Sequence, residues 1–78
     1  MEQNIINDVR RLAYEVLKEE AIITSDNFDF NDLEKFDSVN RVAILVAIEN
    51  EYDFIFKLKE ISSWNTVKEL ASIIEKKL

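Results

Sequence analysis

Seven consecutive apolar residues, Val42-Ala43-Ile44-Leu45-Val46-Ala47-Ile48, run on without a helix breaker to Tyr52. An apolar run of this length suits a buried strand as well as a buried helix, and periodicity alone does not separate them. The two alanines and the unbroken continuation favour a helix. Its start is expected near Ser38, where Asp37 or Ser38 can accept a bond from one of the unsatisfied backbone N–H groups of the first turn. A helix apolar around most of its circumference must be touched on several sides, as a central bundle helix is. The rest of the chain therefore has to cover it.

Two further segments are suited to that task. Ile5, Val9, Leu12 and Val16 recur at helical spacing, flanked by Ile6, Ala13 and Leu17, while Arg10, Arg11, Glu15 and Lys18 fall mostly on the other side. This pattern predicts an amphipathic helix over residues 3–19. Near the other end, Val67, Leu70, Ala71, Ile74 and Leu78 form a second stripe, with Lys68, Glu69, Glu75, Lys76 and Lys77 facing water. Asn65 or Thr66 can cap that helix, and the terminal lysines suit its dipole. Trp64, just before it, is expected to pack on the core.

Residues 20–37 lose the helical rhythm. Thr24-Ser25-Asp26-Asn27, Asp29, Asn31 and Asp32 carry side chains that compete with helix by bonding their own backbone. Ile22, Ile23, Phe28, Phe30, Leu33 and Phe36 are expected to pin this loop to the core. A short connecting helix is expected around Lys57–Ile61. The fold class that follows is all-α, a bundle of three main helices plus one short helix, in a single domain over residues 1–78.

Composition narrows the function. Histidine, cysteine and glycine are all absent. The commonest general base, thiolate metal sites, disulfides and glycine-rich phosphate loops go with them. An independent enzyme is therefore not expected. An EF-hand calcium loop needs acidic residues at alternate positions and a glycine at the turn, but Phe28 and Phe30 follow Asp26 at those positions. The formal net charge of −6 disfavours nucleic acid, which is bound through concentrated basic surface. The start, Met1-Glu2-Gln3-Asn4, has no basic leader, and no apolar run is long enough to cross a bilayer. A cytoplasmic monomer is expected.

One motif does carry chemistry. Asp37-Ser38-Val39-Asn40-Arg41-Val42, the apolar run to Ile48, then Glu49, Glu51, Tyr52 and Asp53, with Thr66-Val67 opening the last helix, resembles the acyl and peptidyl carrier protein family. The resemblance implies that Ser38 receives 4′-phosphopantetheine from coenzyme A and that Asp37 assists the attachment. The thiol of that arm would carry acyl or aminoacyl groups as thioesters. It implies as partners a phosphopantetheinyl transferase, an acyl- or aminoacyl-ligase and acyl-transfer enzymes, which would read Val39, Asn40, Arg41 and Val42.

This chain departs from the family pattern in three places. Lys35 stands where glycine is usual, two residues before the aspartate, and Lys57 replaces a common proline. Asn40, Arg41 and Ala43 occupy positions that are acidic in fatty-acid carriers. A less acidic, partly basic face beside the serine points to a specialised pathway and not to housekeeping fatty-acid synthesis. A D-alanyl or peptidyl-type carrier, a carrier of a specialised fatty or aryl acid, and an unmodified helical interaction module remain alternatives.

Overall fold

The computed structural model of the protein describes residues 2–24 and 28–78. The loop residues Ser25, Asp26 and Asn27, read above as polar loop formers, lie outside the described residues. Four α-helices follow in order: α1 (Glu2–Leu17), α2 (Ala21–Thr24), α3 (Ser38–Tyr52) and α4 (Val67–Lys77). Single 3₁₀ turns at Phe30–Asp32 and Leu58–Glu60 interrupt the connections. Helix α1 packs on both α3 and α4, and α2 folds back onto α1. This is the all-α bundle expected, with three long helices.

The stripes read from the sequence become the core. Ile5, Ile6, Val9, Leu12, Ala13 and Leu17 of α1 are buried against Ile44, Leu45 and Ile48 of α3 and Val67, Leu70, Ala71 and Ile74 of α4. Each fully buried large aliphatic side chain contributes about 1.5–3 kcal/mol relative to exposure. Leu78 is the exception: it was expected to complete the last stripe but is 63% exposed, beyond the final turn of α4.

Two boundaries differ from expectation, each for a local reason. Helix α1 ends at Leu17 and not at residue 19, because Lys18 turns into the left-handed region at φ 56° and its N–H bonds the Tyr14 carbonyl at 2.7 Å. A left-handed residue closes a helix by satisfying one of its last carbonyls, a task that glycine usually performs and that here falls to lysine. The Lys35 ammonium then donates to the free Leu17 carbonyl and pairs with Glu19 at 3.3 Å. The expected helix around residues 57–61 is a 3₁₀ turn, held by Glu60, whose carboxylate accepts from the Lys57 N–H at 2.7 Å.

The irregular connection between α2 and α3 is pinned by rings. Phe30 and Trp64 are fully buried and meet edge to face at 5.3 Å, while Phe36 stacks on Phe30 at 5.3 Å. The Phe30 N–H donates to the Asn65 carbonyl at 2.8 Å, and Asp29 bridges Thr66 in antiparallel fashion. The start of α4 is thereby stitched to the loop that leads into α3. At the opposite end, Lys77 ties α4 to the 54–60 segment. It reaches the Glu60 carboxylate at 2.9 Å and the Ile55 carbonyl at 3.2 Å, over the ring of Phe54.

Candidate functional site

Ser38 is the first residue of α3, and its side chain is exposed. Between the two caps the sequence left open, the structure selects Asp37. Its backbone is extended (φ −132°, ψ −175°), and its carboxylate accepts from the Asn40 N–H at 2.9 Å. The Arg41 N–H closes the first turn on the Asp37 carbonyl at 2.9 Å. A carboxylate suits this place twice, as a hydrogen-bond acceptor and as a negative charge at the positive end of the helix dipole. Because Asp37 caps the helix, the Ser38 hydroxyl has no hydrogen-bond partner among the described residues.

The approach to the site is fixed by Asn40. Its side-chain amide donates to the Lys35 carbonyl at 2.6 Å and so holds the loop in front of the helix. Lys35, the departure from the usual glycine, is anchored at the end of α1 and is not poised over the serine. Ser38 and Val39 lie in the first turn, where backbone N–H groups have no helical carbonyl to reach. An anionic phosphodiester on the Ser38 oxygen would sit beside those donors and the helix dipole, so the residues present fit a phosphopantetheine arm.

Arg41 does not project into solvent next to the serine. Its guanidinium lies over Trp64 at 4.4 Å and Phe36 at 5.0 Å. It donates to the Trp64 carbonyl at 2.7 Å and, at 3.4 Å, to the Ile61 carbonyl and the Asn65 side-chain oxygen. Burial pushes its pKa down, the direction desolvation gives any cation. Of the four residues expected to face partners, Val39 (73% exposed) and Val42 (46%) point outward, while Asn40 and Arg41 brace the site.

The all-round apolar character of α3 concealed a third outward valine. Val46 is 46% exposed, and the spacing Val39, Val42, Val46 would have marked an exposed stripe had the neighbouring apolar residues not masked it. Beside Val42 and Val46 a cavity of about 70 Å³ opens between α3 and the 56–61 segment, lined also by Leu45, Glu49, Phe56 and Ile61. That is the share of roughly two water molecules in the liquid. Glu49 on its wall is committed, since its carboxylate accepts the Phe56 N–H at 2.8 Å. Among the described residues no cluster of acidic side chains converges on a metal position. No helix in the described residues is long and apolar enough to cross a membrane.

Residues 7–74 match the phosphopantetheine attachment site family, and the chain belongs to it. Proteins of this kind carry 4′-phosphopantetheine covalently on a serine, and their place in metabolism is that of a carrier. No curated protein and no solved structure gives a significant match.

Proposed function

We propose that this protein is a discrete carrier whose 4′-phosphopantetheine arm is attached at Ser38, and that it acts as a single non-catalytic domain. The observation that supports this most strongly is the division of labour between Asp37 and Ser38. A serine at the start of a helix usually serves as its cap, but here the carboxylate before it caps, and the hydroxyl is exposed and unbonded. A hydroxyl with no structural task, at a helix end that favours anionic oxygen, is suited to becoming a phosphodiester.

In the attachment step the Ser38 oxygen loses its proton and bonds to phosphorus, and the nucleotide half of coenzyme A leaves. The second Asp37 oxygen has no partner among the described residues, so it can orient the incoming group or a metal bound with coenzyme A. Once bound, the arm supplies the thiol that holds an acyl or aminoacyl load, and the protein contributes position and recognition. We assign the chain to a dedicated pathway served by its own ligase and acyl-transfer enzymes, in the cytoplasm and as a monomer. The absence of acidic side chains at positions 40, 41 and 43 supports this, because fatty-acid carriers present them there to basic partners.

The deciding experiment is intact mass after incubation with coenzyme A and a broad-specificity phosphopantetheinyl transferase, followed by peptide mapping. One addition at Ser38, lost in Ser38→Ala, is expected. Addition at Ser25, Ser62, Ser63 or Ser72, or none at all, would overturn the assignment.

A further inference from the structure

We propose that Lys35 is a positioning residue for the attachment step: it braces the loop in front of α3 against the end of α1 and so fixes where the Ser38 oxygen is presented to phosphorus. This rests on Ser38 being the attachment point.

Lys35 is bonded in two directions. Its ammonium donates to the Leu17 carbonyl and pairs with Glu19 at 3.3 Å, while its own carbonyl accepts from the Asn40 side-chain amide at 2.6 Å. The Asn40 backbone N–H in turn donates to the Asp37 cap at 2.9 Å. A continuous line of bonds therefore runs from the last carbonyl of α1, through Lys35 and Asn40, to the turn that carries Ser38. Between these anchors Phe36 stacks on Phe30 and lies under the Arg41 guanidinium at 5.0 Å. Lys35, Phe36 and Asp37 are each held by a contact of their own, and the Ser38 hydroxyl emerges from a turn fixed on both sides.

The glycine usual at position 35 could not do the same. Among the described residues only Lys18 and Asp53 have a positive φ, so residue 35 makes no use of the backbone freedom that glycine offers. Glycine would supply neither the bond to Leu17 nor the pair with Glu19, and it would loosen the chain leading into Ser38. Folding stability does not account for the lysine. Both Lys35 and Glu19 are half-exposed, and exposed ion pairs add little to stability. What the brace changes is order next to a reacting oxygen, where a small misplacement slows a reaction without weakening binding.

The test follows modification of the full chain by coenzyme A and the broad-specificity phosphopantetheinyl transferase. Values of kcat and KM for the carrier are measured separately, at a temperature where every variant is fully helical. Lys35→Met keeps the apolar stem but removes the donor and the charge; it should lower kcat about tenfold and change KM less than about twofold. Lys35→Gly should lose as much. Lys35→Arg, which can reach both the Leu17 carbonyl and Glu19, should stay within about threefold of the native chain.

Hydrogen exchange on the unmodified chain gives a second readout. In Lys35→Met the Asn40 and Arg41 amides, which bond Asp37 at the start of α3, should exchange about tenfold faster. The Glu69 and Leu70 amides, which bond Thr66 at the equivalent place in α4, should keep their native rate.

A native kcat in Lys35→Met or Lys35→Gly would overturn the proposal. A loss confined to KM would also overturn it, by making Lys35 a contact for the transferase. So would a loss in Lys35→Arg equal to that in Lys35→Met, or faster exchange at both helix starts alike, which marks general destabilisation. No modification of the native chain would instead refute attachment at Ser38, while exchange would still report whether Lys35 braces the turn.

Discussion

Helices α3 and α4 begin side by side and are capped by the same physics, yet they spend their hydroxyls differently. At α4 the Thr66 hydroxyl accepts the Glu69 N–H at 3.1 Å, and the Glu69 carboxylate returns to the N–H groups of Thr66 at 3.1 Å and Asn65 at 2.7 Å. That reciprocal box commits both the Thr66 hydroxyl and the Glu69 carboxylate to backbone N–H groups. At α3 a carboxylate replaces the hydroxyl as cap, the third helical residue turns its side chain away to the Lys35 carbonyl, and the serine behind the cap is left over. One helix start is closed chemically and the other is held open. A reactive position needs no unusual backbone here; it needs a neighbour that takes over the structural task.

Arg41 joins the two starts, and its removal should have the largest effect on stability. Arg41→Ala would lose charge-assisted bonds to the chain before α4 together with stacking on two rings, a cost of about 2–3 kcal/mol in chemical denaturation. Arg41→Lys should recover little of it, because an ammonium cannot reproduce the planar fork. An alanine variant as stable as the native chain would show that the helix starts are not coupled through this residue.

The far end of α3 offers a pH-dependent comparison. Tyr52 donates to the Asp8 carboxylate at 2.6 Å, and burial, followed by that bond, raises its pKa to about 12. Its unfolded value is about 10, so the native state holds the proton more tightly. The contribution is complete below pH about 10 and is lost as pH rises toward about 12, with a loss of about 1–2 kcal/mol after solvent screening of a half-buried group. Tyr52→Phe should flatten that part of the stability profile and remove the late component of phenolate titration.

The caps themselves rank next. Thr66→Ala and Asp37→Ala should each cost about 1 kcal/mol, the ordinary value of a lost cap. Smallest of all is the stability change in Ser38→Ala, below about 0.3 kcal/mol, because no bond is lost and alanine is the better helix former. A loss in Ser38→Ala equal to that in Thr66→Ala would show that the serine hydroxyl caps after all, and the contrast between the helix starts would vanish.

Much of this architecture was legible in the sequence. The stripes Ile5-Val9-Leu12 and Val67-Leu70-Ile74 declare their buried faces, since helical periodicity is local and the hydrophobic effect is indifferent to the partner's identity. Trp64 was placed in the core correctly for the same reason. Asp37-Ser38 marked a helix start and a candidate for modification, because cap preference and the family motif both reside in adjacent residues. Which of the two residues capped was not legible. Both can accept the same N–H, and the choice depends on the loop that Asn40 and Lys35 hold in front of them.

Tertiary structure decided what depends on residues far apart in the chain. Arg41 reads as a free surface charge until Trp64, 23 positions later, is folded beneath it. Leu17 reads as part of a helix running to residue 19, whereas in the fold Lys18 turns left-handed and Lys35 arrives from the loop to take the Leu17 carbonyl. The valine stripe of α3 is invisible in a helix apolar on all sides, because exposure is a property of what the other helices fail to cover. The sequence determined which faces must be buried and which serine stands at a helix start. Only packing determined which charges were spent holding the fold, Arg41 over Trp64 and Lys35 at the end of α1 among them, and which valines of α3 stayed exposed.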